Sequence, residues 1–203
     1  MERFTTLDAI ACPLGLANVD TDQLIAARFM SRSRAEGYGN FLLHDARFDA
    51  QGAPKTDFVL NLPRYAAAQI LVARRNFGTG SSREAAVYAL WDYGIRCVIA
   101  PSFGDIFASN AVKNGLLPAV VTEADAEQLL VMLESAAQPT LHVDLTTQTI
   151  NGHIEFEIDP VRRLQLLNGW DDIDLTLQHQ AEIAAYRARW IVDHPWVMPQ
   201  SNE

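Results

Sequence analysis

Residues 70–84 read ILVARRNFGTGSSRE. Ile70 to Ala73 is a short, unbroken apolar run of the kind a strand carries when both of its faces are covered. A break follows from Asn76 to Ser82. From Arg83 to Tyr93 the residues Ala85, Ala86, Ala89 and Leu90 then fall at helical spacing, with Gly94 placed to end the helix. A buried strand that passes through a glycine-rich turn into a helix is half of a parallel crossover unit, and the rest of the unit comes next. Cys97 to Ala100 is a second apolar run, Asp105 to Asn114 a helix stopped by Gly115, Leu116 to Val121 a third run, and Ala124 to Leu133 another helix. Strands and helices alternating in this way predict a layered α/β core.

Outward from that core the signals change. Strands near 141–145 and 153–158 flank Asn151-Gly152, a pair that favours a hairpin turn, and helices are expected around 161–167 and 178–190. Upstream, Tyr65 to Gln69 reads as a helix or a helix end. Residues 18–22, Asn-Val-Asp-Thr-Asp, form a turn whose short polar side chains bond the backbone. The stretch from Arg28 to Lys55, with Gly37, Gly39, Gly52 and Pro54, reads as a long excursion from the core, of the kind that forms binding loops or lids. No repeat is visible, and the length suits one domain over 1–203 with a helical extension at 161–197. The tail from Met198 to Glu203 is expected to fray.

The 203 residues carry 16 Lys and Arg against 25 Asp and Glu, a formal charge of −9. Binding to nucleic acid or to an anionic membrane through bulk charge is thereby disfavoured, and any bound anion must meet a local basic cluster. Cys12 and Cys97 are too few and too far apart for a disulfide scaffold or a zinc site, so no metal ligand is assigned to this chain. With no signal-like opening and no long apolar run, a cytoplasmic protein is expected. The five histidines show no compact ligand spacing and read as structural or surface residues, and the four scattered tryptophans make no stacking platform for bases.

The chemistry concentrates at 76–84. Gly78 and Gly80 permit a tight turn, Ser81 or Ser82 can cap the helix, and its first backbone N–H groups then face an incoming anion. Arg83 adds a planar fork suited to a carboxylate. The spacing matches neither a phosphate-binding loop nor a dinucleotide fingerprint. An ordinary capped turn with a surface arginine is the competing structural reading.

These residues resemble the Gly-Ser-Ser-Arg-Glu signature of the aconitase swivelling domain. NVDTDQL at 18–24, LNLPRY at 60–65, DYGIRCVIAPSFGDIF at 92–107, NGLLP at 114–118 and DDIDLTL at 171–177 are similar, in order, to landmarks of the isopropylmalate dehydratase small-subunit family. The resemblance implies a layered β/β/α swivelling domain and a hydro-lyase that isomerises 2- and 3-isopropylmalate for leucine synthesis. It implies Ser81 as the group exchanging the substrate proton, Ser82, Arg83 and Arg28 as substrate-binding residues, and Asp20, Thr21, Asp22, Gly78 and Gly80 as their support. A hydroxy-dicarboxylate is the implied substrate. The implied cofactor, a [4Fe–4S] cluster, belongs to a large-subunit partner, because this chain lacks the three cysteines to ligate it.

Three residues depart from the family pattern: Thr79 stands for Cys, Ala85 for His, and Arg74 for Gly. Arg74 brings the prospect of added positive charge beside the site. The departures leave open related substrates such as citramalate, dimethylmalate or homocitrate, and also a non-catalytic binding or scaffold paralogue.

Overall fold

The computed structural model describes residues 1–197, so the fraying expected of Met198–Glu203 concerns residues outside those described. One seven-stranded sheet has the order β4-β3-β2-β1-β5-β6-β7. Its strands are β1 (Thr6–Pro13), β2 (Ile70–Val72), β3 (Cys97–Ala100), β4 (Leu117–Val120), β5 (Thr140–Asp144), β6 (Thr149–Ile150) and β7 (Ile154–Glu155). β1 to β4 run parallel, while β5 pairs antiparallel with β1 and leads into the antiparallel β6 and β7. Beyond β7 the chain meets the far edge of the sheet: Val120 N–H donates to Glu157 O at 3.0 Å and Glu157 N–H to Val120 O at 2.7 Å. The sheet therefore curls on itself, and the edge of β4 is paired locally. This is the mixed, layered α/β architecture expected of a swivelling domain.

Among the described residues the α-helices are α1 (Thr21–Leu24), α2 (His44–Arg47), α3 (Glu84–Tyr93), α4 (Asp105–Lys113), α5 (Glu123–Ser135), α6 (Pro160–Asn168), α7 (Asp172–Leu177) and α8 (Gln180–Asp193). Register explains why the central strands lack alternation. Ala11, Ile70, Cys97 and Leu117 lie side by side across four strands and join one core cluster with Ala126, Leu129, Leu130 and Leu133 of α5. The next row, Cys12, Leu71 and Val98, faces a second cluster with Ala86, Val87, Ala89 and Leu90 of α3. With apolar helices on both faces, every position of β2 and β3 is buried, as is the carboxyl half of β1 from Ala11 to Pro13.

Two expectations need correction, and one helix was not foreseen. The segment 28–55 is not a loose excursion: it folds into short helical turns, and Tyr38, Leu42 and Leu43 enter the cluster under α3. It packs so closely that a Cβ at Gly39 would lie 2.5 Å from Tyr93 N. The hairpin turns at Asn151-Gly152 as expected and its second strand, β7, lies within 153–158, but its first strand is β6 and not the one near 141–145, which is β5. An earlier reversal intervenes, because the Asp144 carboxylate accepts from Thr146 and Thr147 N–H at 2.7 and 3.2 Å; desolvation, the largest single influence, raises its pKa, but the hydrogen bonds from the two threonines together hold it below the usual carboxylate range. DDIDLTL at 171–177 is itself a helix, α7, capped by Asp171 and Asp174.

Compactness divides the chain at Gly169. Met1–Gly169 contains the sheet and α1 to α6, so α6 belongs with the core and not with the helices after it. The unit from Trp170 contains α7 and α8, and no residue of either helix is buried. Among the described residues, no helix is long and apolar enough to cross a membrane.

Candidate active site

In a parallel sheet the loops leaving the carboxyl ends of the strands are free to converge on a ligand. Here those of β1, β2 and β3 do so, joined backbone to backbone. Asn18 N–H donates to Arg75 O (2.9 Å), Gly78 N–H to Val19 O (2.7 Å) and Thr21 N–H to Thr79 O (2.8 Å), while Phe77 N–H donates to Ser102 O (3.0 Å) and Gly104 N–H to Phe77 O (2.9 Å). Side chains close the junction: Asn76 Nδ2 donates to Asn18 Oδ1 at 2.7 Å, and Ser102 Oγ accepts from Asn76 N–H at 2.9 Å. Two glycines are required by this closeness. Gly78 has φ +72° and leaves no room for a Cβ against Phe107, and a Cβ on Gly104 would lie 2.5 Å from Gly78 O.

The sequence-nominated residues meet at this junction, with one exception. Asp20 caps α1, accepting from Gln23 N–H at 2.7 Å, while Gln23 Oε1 accepts from Asp20 N–H at 3.0 Å. Thr21, 2% exposed, donates its hydroxyl to Ser81 O at 3.0 Å. Asp22 pairs with the Arg83 guanidinium. Gly80 passes against Thr21, where a Cβ would lie 3.2 Å from Thr21 Oγ1. Ser81 and Ser82 are exposed, and among the described residues neither hydroxyl has a hydrogen-bond partner. Gly78 to Ser81 and Gly104 to Phe107 line a cleft of about 250 Å³.

The exception is Arg28. It is held by Asp45, with Nη1 donating to Oδ2 at 3.0 Å, and it lies over the Phe29 ring at 4.5 Å. This pairing raises its own pKa and holds the Asp45 carboxyl below its usual range. Arg28 makes no hydrogen bond or ion pair with residues 78–83.

Two local expectations are also overturned. Neither serine caps α3: Arg83 occupies the N-cap position, and no side chain bonds the helix N-terminus. The Ser81 carbonyl is tied to Thr21, which delays entry into the helix beyond both hydroxyls. Nor does Arg74 bring charge to the cleft. Its Nε and Nη2 donate to Glu127 on α5 at 2.5 and 3.0 Å, and Nη1 donates to Gly15 O, so it braces the β1 loop and its charge is neutralised there.

Ser102 and Gly104 escaped the sequence reading as parts of the site. A signal existed, since Pro101-Ser102-Phe103-Gly104-Asp105 follows β3 as 76–84 follows β2, strand to glycine turn to helix. A larger hollow, about 780 Å³, lies where Asp125, His153, Glu155 and Glu157 meet. Its acidic lining, without a guanidinium, does not suit a carboxylate. Among the described residues no cluster of three His, Cys, Asp or Glu is placed to hold a metal. Cys12 and Cys97 fall in separate core clusters, and burial pushes the Cys12 thiol up to about 12 and Cys97 higher still.

Comparison with known proteins agrees with this architecture. The Aconitase C-terminal domain model matches residues 1–124, and the model for the C-terminal domain of the 3-isopropylmalate dehydratase small subunit matches 172–200. The chain is 50% identical over 202 residues to the 3-isopropylmalate dehydratase small subunit of Rhodospirillum centenum, covering 98% of this chain and 100% of that one. It is 48% identical to the protein of the same name from Afipia carboxidovorans, over 97% of this chain and 100% of the relative. Among solved structures, 3-isopropylmalate dehydratase from Methanocaldococcus jannaschii superposes with a TM-score of 0.61 at 25% identity, over 89% of this chain and 99% of that one. With full-length relatives at this identity and the matching domain models in order along it, the chain belongs to the 3-isopropylmalate dehydratase small-subunit family.

Proposed function

We propose that this chain is the small-subunit half of a hydro-lyase that interconverts 2- and 3-isopropylmalate by removing and returning water, a step of leucine synthesis. The observation that carries the chemistry is an exposed Ser81 hydroxyl, without a hydrogen-bond partner among the described residues, that lines the cleft two residues along the chain from Arg83. In this reading Arg83 and the uncapped N-terminus of α3 hold a substrate carboxylate, and Ser82 donates a further hydrogen bond. Ser81 Oγ takes the proton from the carbon next to that carboxylate during dehydration and returns one during rehydration. An ordinary serine is too weak a base for this, so the neighbouring N–H dipoles and guanidinium must stabilise its alkoxide.

Loss of hydroxide from the adjacent carbon calls for a Lewis acid. The donors of this chain do not fit a cluster, its two thiols being buried apart and held protonated. We therefore assign a [4Fe–4S] cluster to a large-subunit partner. We further assign residues 28–41, including Arg28, to substrate recognition, with Asp20, Thr21, Gly78 and Gly80 holding the loops in register.

The test is reconstitution with an anaerobically prepared large subunit, followed by turnover of 2-isopropylmalate, citramalate, dimethylmalate and homocitrate in parallel. Highest kcat/KM for 2-isopropylmalate is expected. Preference for another acid would move the substrate assignment, and no turnover of any of them would remove the enzymatic reading.

A further inference from the structure

The residues of the 20–22 triplet do unequal work. Asp20 closes the capping box of α1, and buried Thr21 ties that turn to Thr79 and Ser81. Among the described residues Asp22 has no partner but Arg83, and its side chain is 56% exposed against 19% for the arginine. The turn is thus held without Asp22, whose carboxylate sits on the guanidinium proposed to receive the substrate. It takes Nη1, half of the fork that a carboxylate grips with two parallel N–H bonds, and cancels charge that would attract an anion.

We propose that Asp22 is a built-in competitor for the substrate carboxylate, occupying Arg83 in the empty site and giving it up when substrate enters. The inference rests on the assignment of Arg83 to substrate binding. It assigns Asp22 a role opposite to support, because the acid opposes ground-state binding and keeps Arg83 neutralised between turnovers. Removing its charge while keeping its shape therefore tightens binding.

The experiment uses the reconstituted two-subunit complex and measures KM and kcat for 2-isopropylmalate in wild type, Asp22→Asn, Arg83→Ala and the double variant, with thermal melting of each. An exposed ion pair has a small net free energy, so Asp22→Asn is expected to lower KM about two- to fivefold. Arg83→Ala raises KM, and in that background Asp22→Asn has no further effect. A merely structural Asp22 predicts the reverse, a raised KM with a lowered melting temperature. If Arg83→Ala raises KM while Asp22→Asn leaves it unchanged or raised, the competitor role is overturned and the binding assignment stands. If Arg83→Ala leaves KM unmoved, the binding assignment itself fails and takes the competitor role with it.

Discussion

Replacing Gly78 by alanine tests whether the site is held by close packing of the β2 and β3 loops. A Cβ there would lie 2.2 Å from Cγ of Phe107 and 2.6 Å from both Cδ atoms, far inside contact distance. Phe107 is only 3% exposed and is wedged against Phe77 and Phe103, at ring separations of 5.4 and 6.2 Å, so it has no open side to retreat into. Two costs add. A side chain at positive φ is disfavoured by about 1–2 kcal/mol, and forcing a methyl into a packed core costs about 1–3 kcal/mol. The sum, about 2–5 kcal/mol, corresponds to a fall in melting temperature of about 4–20 °C for a chain of this length. Circular-dichroism melts of Gly78→Ala, Phe107→Leu and the double variant measure it. The smaller, more flexible leucine makes room, so the double variant is expected to melt above the value that simple addition of the two losses gives. An unchanged melting temperature in Gly78→Ala, or strict additivity in the double variant, would refute the packing argument.

Ser81→Ala should leave subunit assembly and substrate affinity nearly intact while lowering turnover about 10²-fold or more; undiminished solvent-deuterium exchange into the substrate would remove the serine from proton transfer. Arg83→Lys should recover only part of the affinity lost in Arg83→Ala, because an ammonium keeps the charge and loses the fork; full recovery measured by calorimetry would count against a forked contact. Gly39→Ala should destabilise more than Gly52→Ala in urea unfolding, since a Cβ at Gly39 meets the backbone of Asp92 and Tyr93 while one at Gly52 meets nothing within 4 Å. The buried thiols should resist iodoacetamide at pH 8 until denaturant is added. Their folded pKa values lie above the unfolded value, so the folded chain retains protons that the unfolded chain releases. That contribution to stability is complete below pH 9 and falls as pH rises toward 12, which denaturant titrations across that range can follow.

The order of β2, α3, β3, α4, β4 and α5 was legible in the sequence because each element states itself locally, in an apolar run of strand length or an apolar stripe at helical spacing. The glycine turn between β2 and α3 was legible for the same reason, and the family resemblance placed Ser81, Arg83 and the 18–24 turn on one site. What the sequence concealed depends on contacts between distant residues. Residues 28–55 look polar and glycine-rich in isolation, yet Tyr38, Leu42 and Leu43 are buried because α3 offers them an apolar face. The hairpin turn at Asn151-Gly152 was legible, but its first strand was misassigned because the Asp144 turn is made by one carboxylate folding back on its own backbone, a choice the flanking residues do not announce. Arg74 could be read as a charge near the site until Glu127, fifty-three residues away, was seen to hold it. Only the tertiary structure put Asp22 against Arg83. Local periodicity reports which face a segment buries, whereas the partner of a charge is fixed by the loops that the sheet brings together.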